Sequence, residues 1–190
     1  MHWIYDWYFT AVWTAFLLYW RILAVHTKQS VRIEPTLSRL LRSLAFILAI
    51  ALFFVPHLPV PTLCLTLLPQ TRLTFWLGAA VNALGLLFAV AARHHIGRNW
   101  SGTVTLKQDH ELITTGPYAF VRHPIYTGIL TGFLGSAIAL GQVRGLLATL
   151  LILIALWAKL RLEEQWMRQQ FGHAYAAYAA HTAALIPFLL

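Results

Sequence analysis

Five long apolar stretches separated by polar segments set the pattern of the chain. The first covers residues 3–25, long enough at about 1.5 Å per residue to cross about 30 Å of hydrocarbon as a helix. Trp3, Trp7 and Tyr8 lie at one end and Tyr19 and Trp20 at the other, where interfacial aromatics anchor a span. A polar segment, 26–42, follows. The second run opens at Ser43 and meets Pro56, Pro59 and Pro61. A residue before proline is pushed out of helical geometry, so this helix is expected to end near Val55. Residues 53–68 then read as a proline-punctuated connection at the interface, with a bent continuation of the helix as the alternative. Residues 74–92 make the third span and 125–141 the fourth. The fifth begins at Gly145, stays apolar to Ala158, and continues without a breaker through Lys159, Glu163, Glu164 and Arg168 to Phe171. A helix leaving a membrane for water has this form. Gly172 marks its stop, residues 173–181 read as a short amphipathic helix, and 185–190 as an apolar tail. The pattern predicts an all-α polytopic membrane protein of five transmembrane helices, with a capping loop and a short C-terminal helix. One domain, 1–190, is expected, with three spans in 1–92 and the loop, two further spans and last helix in 93–190.

Composition agrees with the membrane class. Charged residues make up 11% of the 190 positions, against about 25% in soluble domains. The lone Cys64 permits no intramolecular disulfide and no cysteine-based zinc site. Of the 14 Lys and Arg, 12 fall on one side of the five spans, and only Arg72 and Arg144 on the other. That asymmetry is the positive-inside pattern, and it places the N-terminus outside and the 93–124 loop and the C-terminus in the cytoplasm. The net charge of +8 is read as loops facing anionic lipid and not as a nucleic-acid surface. No cleavable signal peptide is expected, since residues 1–6 lack a basic region.

Residues 98–128 form the longest stretch that is not hydrocarbon-like, and in a lipid-soluble chain a dense polar loop is where function is sought. It ends in Arg122-His123-Pro124-Ile125-Tyr126. Pro124 suits the first turn of the fourth helix, where a missing N–H costs little. The plain account is that Arg122 and His123 touch headgroups and Tyr126 is a belt tyrosine. Glu163 and Glu164 lie on the same expected side. As neighbours they point about 100° apart on a helix, so only one faces a given pocket squarely. Their plain account is two i,i+4 bridges, Lys159 with Glu163 and Glu164 with Arg168. The sharper account has one carboxylate facing a cationic ligand. Gly128, Gly132, Gly135 and Ser136 give the fourth helix a small-residue face for close packing. The Asn99-Trp100-Ser101 sequon lies on the inner side and is discounted, and the adjacent His94 and His95 are read as headgroup contacts. No metal-binding, P-loop or soluble nucleotide-binding motif occurs.

Taken together, Gly116-Pro117-Tyr118, then Val121 through Gly128 (VRHPIYTG), then Glu163-Glu164, Phe171-Gly172, Tyr175 and Tyr178 resemble the isoprenylcysteine carboxyl methyltransferase family, related to membrane phospholipid methyltransferases. Gly97-Arg98-Asn99-Trp100-Ser101 and Leu185-Ile186-Pro187-Phe188 add to the likeness, which covers residues 93–190. The resemblance implies S-adenosylmethionine as methyl donor, with S-adenosylhomocysteine as product and no metal. The donor would be held at the cytoplasmic ends of the last helices beneath a lid. It implies cofactor contacts from Tyr118, His123, Pro124, Tyr126, Glu163 and Glu164. Arg122 would lie by the reacting methyl, with Arg122, His181 and Trp100 toward the acceptor. His181 is a departure, because relatives often carry arginine there and histidine is only partly cationic at neutral pH.

These readings together give a monomeric, multi-pass enzyme of the cell (inner) membrane. It transfers a methyl group to a lipophilic acceptor, either a carboxylate like that of isoprenylcysteine or a phospholipid amine. Membrane lipids are its partners and nucleic acid is not. The alternatives are an NADPH-dependent reductase of a sterol-like lipid and a non-enzymatic lipid-binding subunit.

Overall fold

The computed structural model describes residues 2–24, 30–55, 59–100, 105–107 and 111–187. Parts of the expected capping loop, the side chain of Trp3 and the end of the apolar tail lie outside the described residues. Six helices make up most of the rest: α1 (His2–Ala24), α2 (Thr36–Phe54), α3 (Arg72–Ile96), α4 (Pro124–Leu140), α5 (Val143–Phe171) and α6 (His173–His181). The expectation of a purely helical chain needs one correction. β1 (Ser30–Ile33) and β2 (Thr105–Lys107) pair antiparallel, because two connecting loops meet there and satisfy each other's backbone groups.

α2 also begins seven residues before Ser43. Pro35, with ψ 141°, precedes its first turn, so residues assigned to a polar loop are helical. Its end is as expected, with Val55 extended at φ −74° and ψ 117°. The connection beyond is not a bent helix. A short 3-10 turn at Pro61–Cys64 is followed by residues that bond the α4–α5 turn, Leu67 N to Gly141 O at 2.7 Å and Val143 N to Leu65 O at 3.0 Å. Gly141 makes that turn at φ +65°, a left-handed conformation in which a side chain is strained.

Three helices, α2, α3 and α5, are each long and apolar enough to cross a membrane, with mean hydropathy 1.9 in their apolar windows. α4 is apolar but has only 17 residues. The outer faces agree with a lipid environment: Leu40, Leu44 and Ile47 of α2 are each at least 60% exposed, a row that water does not favour but acyl chains match.

α3 and α4 pack antiparallel with their glycines in mutual contact. A Cβ on Gly135 would lie 2.3 Å from the Asn82 backbone nitrogen, and one on Gly128 would lie 2.5 Å from Gly85 O. The small face of α4 is thus used for close packing, as its sequence implies. Buried Asn82 crosses the seam, donating from Nδ2 to Gly132 O at 2.9 Å, while Trp13 of α1 donates to Ser136 Oγ at 3.1 Å. This seam sets the height at which α4 begins, and so where the site sits.

Gly135→Ala should lower the thermal midpoint in detergent by more than Gly132→Ala, whose nearest obstacle is the movable Leu86 side chain at 2.9 Å. Overpacking against backbone costs about 1–3 kcal/mol. Equal midpoints for the two variants would contradict the packing.

Candidate active site

Where α4 begins, the chain is held from two directions. Val121 is fully buried and bridges to Ala183. The Arg122 and His123 amides donate to the carbonyls of Ala183 and Ala184 at 2.8 and 3.0 Å. Thr127 Oγ1 donates to Leu185 O at 2.6 Å. The segment after α6 therefore straps down the first turn of α4. Pro124 stands at the first helical position, where its missing N–H leaves no bond unmade.

Opposite lies the charged part of α5. Tyr126 donates to Glu163 Oε2 at 2.6 Å, and His123 Nδ1 lies 3.6 Å from the same oxygen. Arg122 donates from Nε to Glu164 Oε1 at 2.7 Å, and its Nη2 lies 2.7 Å from that atom. Its Nη1 donates to the carbonyls of Ala179 and Thr182. The guanidinium thus joins α4, α5 and the end of α6. His123 Nε2 stands 3.4 Å from Glu164 Oε1, at ion-pair distance but without hydrogen-bond geometry. The His123 and Tyr126 rings stack, 5.3 Å apart and 6° from parallel. Both bland i,i+4 pairs also exist, Lys159–Glu163 at 3.7 Å and Glu164–Arg168 at 3.9 Å. They are the outer part of a network whose inner members come from α4.

A cavity opens beside these residues, lined by Arg122, His123, Tyr126 and Glu163 from the two helices, by Tyr118, Tyr175 and Tyr178, and by Trp100, Ile113 and Trp166. Glu163 faces into it, whereas Glu164 faces an outer groove across the Arg122 guanidinium. The 100° offset of neighbouring residues has this consequence here. His181, expected toward the acceptor, lines the outer groove and neither the cavity nor the apolar space described below. Trp100 lines the cavity, held under the Arg93 guanidinium at 4.4 Å. Tyr178 donates to Tyr118 O at 2.5 Å.

Electrostatics follow from this geometry. Burial pushes the Tyr178 phenol up to about 12 and raises Tyr118 and Tyr175 further, so the cavity has neutral aromatic walls. Glu164 lies beyond the apolar part of α5. Burial pushes its carboxyl up, but His123 and Arg122 outweigh that and hold it at about 2. Two buried polar atoms of the cavity lining, Asn99 Oδ1 and His123 Nε2, find no hydrogen-bond partner among the described residues. Buried polar atoms without partners mark places where a ligand completes the set. Aromatic faces and the Glu163 carboxylate suit a sulfonium or ammonium cation, and Asn99 Oδ1 adds an acceptor. The residues present fit a donor such as S-adenosylmethionine.

A second space meets the first. An apolar groove of about 460 Å³ runs between α1, α2, α4 and α5, lined by Trp13, Phe46, Phe53, Ile129, Phe133 and Leu156 among others. Trp100, Ile125 and Tyr126 line both spaces and form the wall between them. Arg42 and Lys159 also line the groove. Lys159 Nζ sits 5.2 Å from the Tyr126 ring centroid, and Arg42 pairs with buried Glu34, with Nη1 to Oε2 at 2.8 Å. Sequence reasoning missed Arg42, Glu34, Trp166 and Thr127. Arg42 read as a loop base, and only the spacing of Trp166 three residues beyond Glu163 signalled that both share a helix face.

The chain matches the phospholipid methyltransferase family over residues 73–174. It is similar to protein-S-isoprenylcysteine O-methyltransferase B of Arabidopsis thaliana, 25% identical over 88% of this chain and 84% of that protein. The protein-S-isoprenylcysteine O-methyltransferase of Schizosaccharomyces pombe is 33% identical over 56% of this chain and 46% of its own length. A solved structure of the eukaryotic intramembrane Ras methyltransferase, isoprenylcysteine carboxyl methyltransferase, superposes with TM-score 0.60 at 27% identity. It covers 77% of this chain, and this chain spans about half, 52%, of its length.

A depressed carboxyl stabilises the fold above its unfolded value of about 4.3, and that contribution is lost as pH falls through the folded value of about 2. Glu164→Gln should therefore be less stable than the parent protein at neutral pH, with the gap closing between about pH 4 and pH 2. Thermal midpoints in detergent across that range read it, and a gap independent of pH would refute the pairing.

Proposed function

Because the chain belongs to the phospholipid methyltransferase family and is a membrane methyltransferase, we propose that it is S-adenosylmethionine-dependent and acts on a lipophilic acceptor. The observation that carries this reading is the shared wall: Tyr126, Ile125 and Trp100 separate a polar aromatic cavity from an apolar groove. A water-soluble donor and a lipid-soluble acceptor need two such compartments meeting at one point. The sequence alternatives, a reductase of sterol-like lipids and a non-enzymatic lipid-binding subunit, are not favoured by the family membership.

When bound, S-adenosylmethionine supplies a methyl group on a sulfonium, which loses charge as the methyl leaves. The protein's part is binding, alignment and exclusion of water. Glu163, positioned by the Tyr126 hydroxyl at 2.6 Å, offers its charge to the donor's cationic part. Tyr118, Tyr175 and Trp166 enclose it with apolar faces, and His123 holds Tyr126 in place by ring stacking. Arg122, fixed by Glu164 and two carbonyls, forms the wall that the cavity shares with an outer groove.

The acceptor's tail occupies the groove and its head reaches Tyr126. The only charged side chains among the described groove-lining residues are Arg42 and Lys159, both cations, and this favours a carboxylate head, as in isoprenylcysteine, over a phospholipid ammonium. A carboxylate arrives without a proton to lose, so no residue need act as base, whereas an ammonium must first be deprotonated. The enzyme is placed as a monomer in the cell (inner) membrane with five spans. Its N-terminus is outside, and the donor cavity and C-terminus are cytoplasmic, in keeping with the distribution of Lys and Arg.

Titration calorimetry of the purified protein should detect binding of S-adenosylmethionine and of S-adenosylhomocysteine. Glu163→Ala combined with Glu164→Ala should weaken both at least tenfold, about 1.4 kcal/mol, while the protein still partitions into the membrane fraction. Unchanged affinity in that double variant, or binding of NADPH in place of the methyl donor, would overturn the reading. Mass spectrometry of lipid extracts incubated with isotopically labelled donor identifies the acceptor, and a labelled amine in place of an ester would reverse the preference for a carboxylate.

A further inference from the structure

The outer groove lies on the far side of the Arg122–Glu164 pair from the donor cavity, between the charged part of α5 and the segment that follows α6. It has a volume of about 1250 Å³ and is open to the surface. Its walls carry three arginines, Arg122, Arg161 and Arg168, with His181 at the edge. Glu164 is the single carboxylate among the described lining residues, and its Oε1 already accepts from Arg122. The groove is therefore net cationic. Arg161 is exposed, and the Arg168 side chain is 55% exposed, with a 3.9 Å approach to Glu164 and the face of Tyr175 as its contacts among the described residues.

The groove also has apolar walls: Trp157, 41% exposed, and Phe120, 64% exposed, line it. Arg161 stands one helical turn beyond Trp157, about 6 Å along α5, and Arg168 about 10 Å beyond Arg161. The apolar part of α5 ends at Ala158. On the reading that α5 crosses the bilayer, Trp157 sits at the hydrocarbon boundary and the two arginines on its headgroup side, Arg161 nearer and Arg168 farther out. A ligand complementary to both kinds of wall is an amphiphile whose apolar part meets Trp157 and Phe120 and whose anionic head lies between the arginines. Arginine is suited to phosphate, because its planar donors bind two oxygens at once.

We propose that this groove is a binding site for an anionic phospholipid, with its phosphate between Arg161 and Arg168. The site is separate from both the donor cavity and the acceptor groove. Its floor is the outer side of the Arg122–Glu164 pair that closes the donor cavity, so a bound headgroup lies directly behind that pair.

The test uses the full chain in nanodiscs of equimolar phosphatidylglycerol and phosphatidylcholine, without methyl donor, so that it does not depend on the enzyme reading. After transfer to detergent, native mass spectrometry counts the retained lipids. The protein should keep phosphatidylglycerol over phosphatidylcholine by about tenfold or more, from two arginines each acting near the membrane surface. Arg161→Gln with Arg168→Gln should bring the ratio near parity, Arg161→Lys with Arg168→Lys should keep most of it, and Arg21→Gln with Arg39→Gln, cations elsewhere, should leave it unchanged. An equal loss in both Gln pairs, no loss in either, or displacement of the lipid by inorganic phosphate as readily as by short-chain phosphatidylglycerol would each overturn the proposal.

Discussion

The pairing of Arg122 and His123 with Glu163 and Glu164 is the constraint on which the working end of the molecule depends. The charges stand where α5 emerges from its apolar part, neither in full water nor in hydrocarbon. A guanidinium and a carboxylate there cost more to leave apart than two exposed charges do, because each has lost much of its hydration. The side chains of Arg122 and Glu164 are only 11% and 12% exposed, and the remaining guanidinium donors reach the carbonyls of Ala179 and Thr182. The ion pair thus ties three elements together. It fixes the start of α4 against α5, and it brings the segment after α6 over both.

Positioning at that end depends on packing at the other. α4 meets α3 through glycines whose Cβ atoms would collide with backbone, so the two helices admit little sliding. Asn82 and Ser136 add hydrogen bonds across the same seam, in surroundings where an unsatisfied polar group is costly. With the height of α4 set, His123 and Tyr126 arrive level with Glu163. A shift of one residue would turn the Tyr126 hydroxyl by about 100°, away from its 2.6 Å partner.

The two compartments differ in polarity. The cavity beside Glu163 is polar and aromatic, and the groove beside Phe46 and Phe133 is nearly all hydrocarbon. Tyr126 belongs to both, with its hydroxyl on the carboxylate and its ring beneath Lys159. A tyrosine suits this place because one end is polar and the body is apolar. Enclosure by α1 and α2, which lie outside the residues 73–174 matched by the family model, is what makes the groove a confined space.

The sequence by itself determined the helix order, the ends of α2 and α5 and the packing face of α4, and it singled out Arg122, His123, Tyr126 and the two glutamates, which the fold brings together. Each of these is written in local chemistry: apolar length, proline and glycine placement, or residues adjacent in the chain. It did not determine which glutamate faces which space, because the 100° between neighbours acquires meaning only once α4 is docked. Nor did it place Arg42 in the groove wall, paired with buried Glu34. Their segment read as polar loop, and α2 begins early only because Pro35 and the buried pair let it. The side on which His181 lies was open for the same reason, since position along α6 says nothing about the side of Arg122 on which a ring will lie. Contacts between residues 60 or more positions apart, such as Arg122 with Thr182, depend on how whole helices settle against one another, and only the tertiary structure decides that.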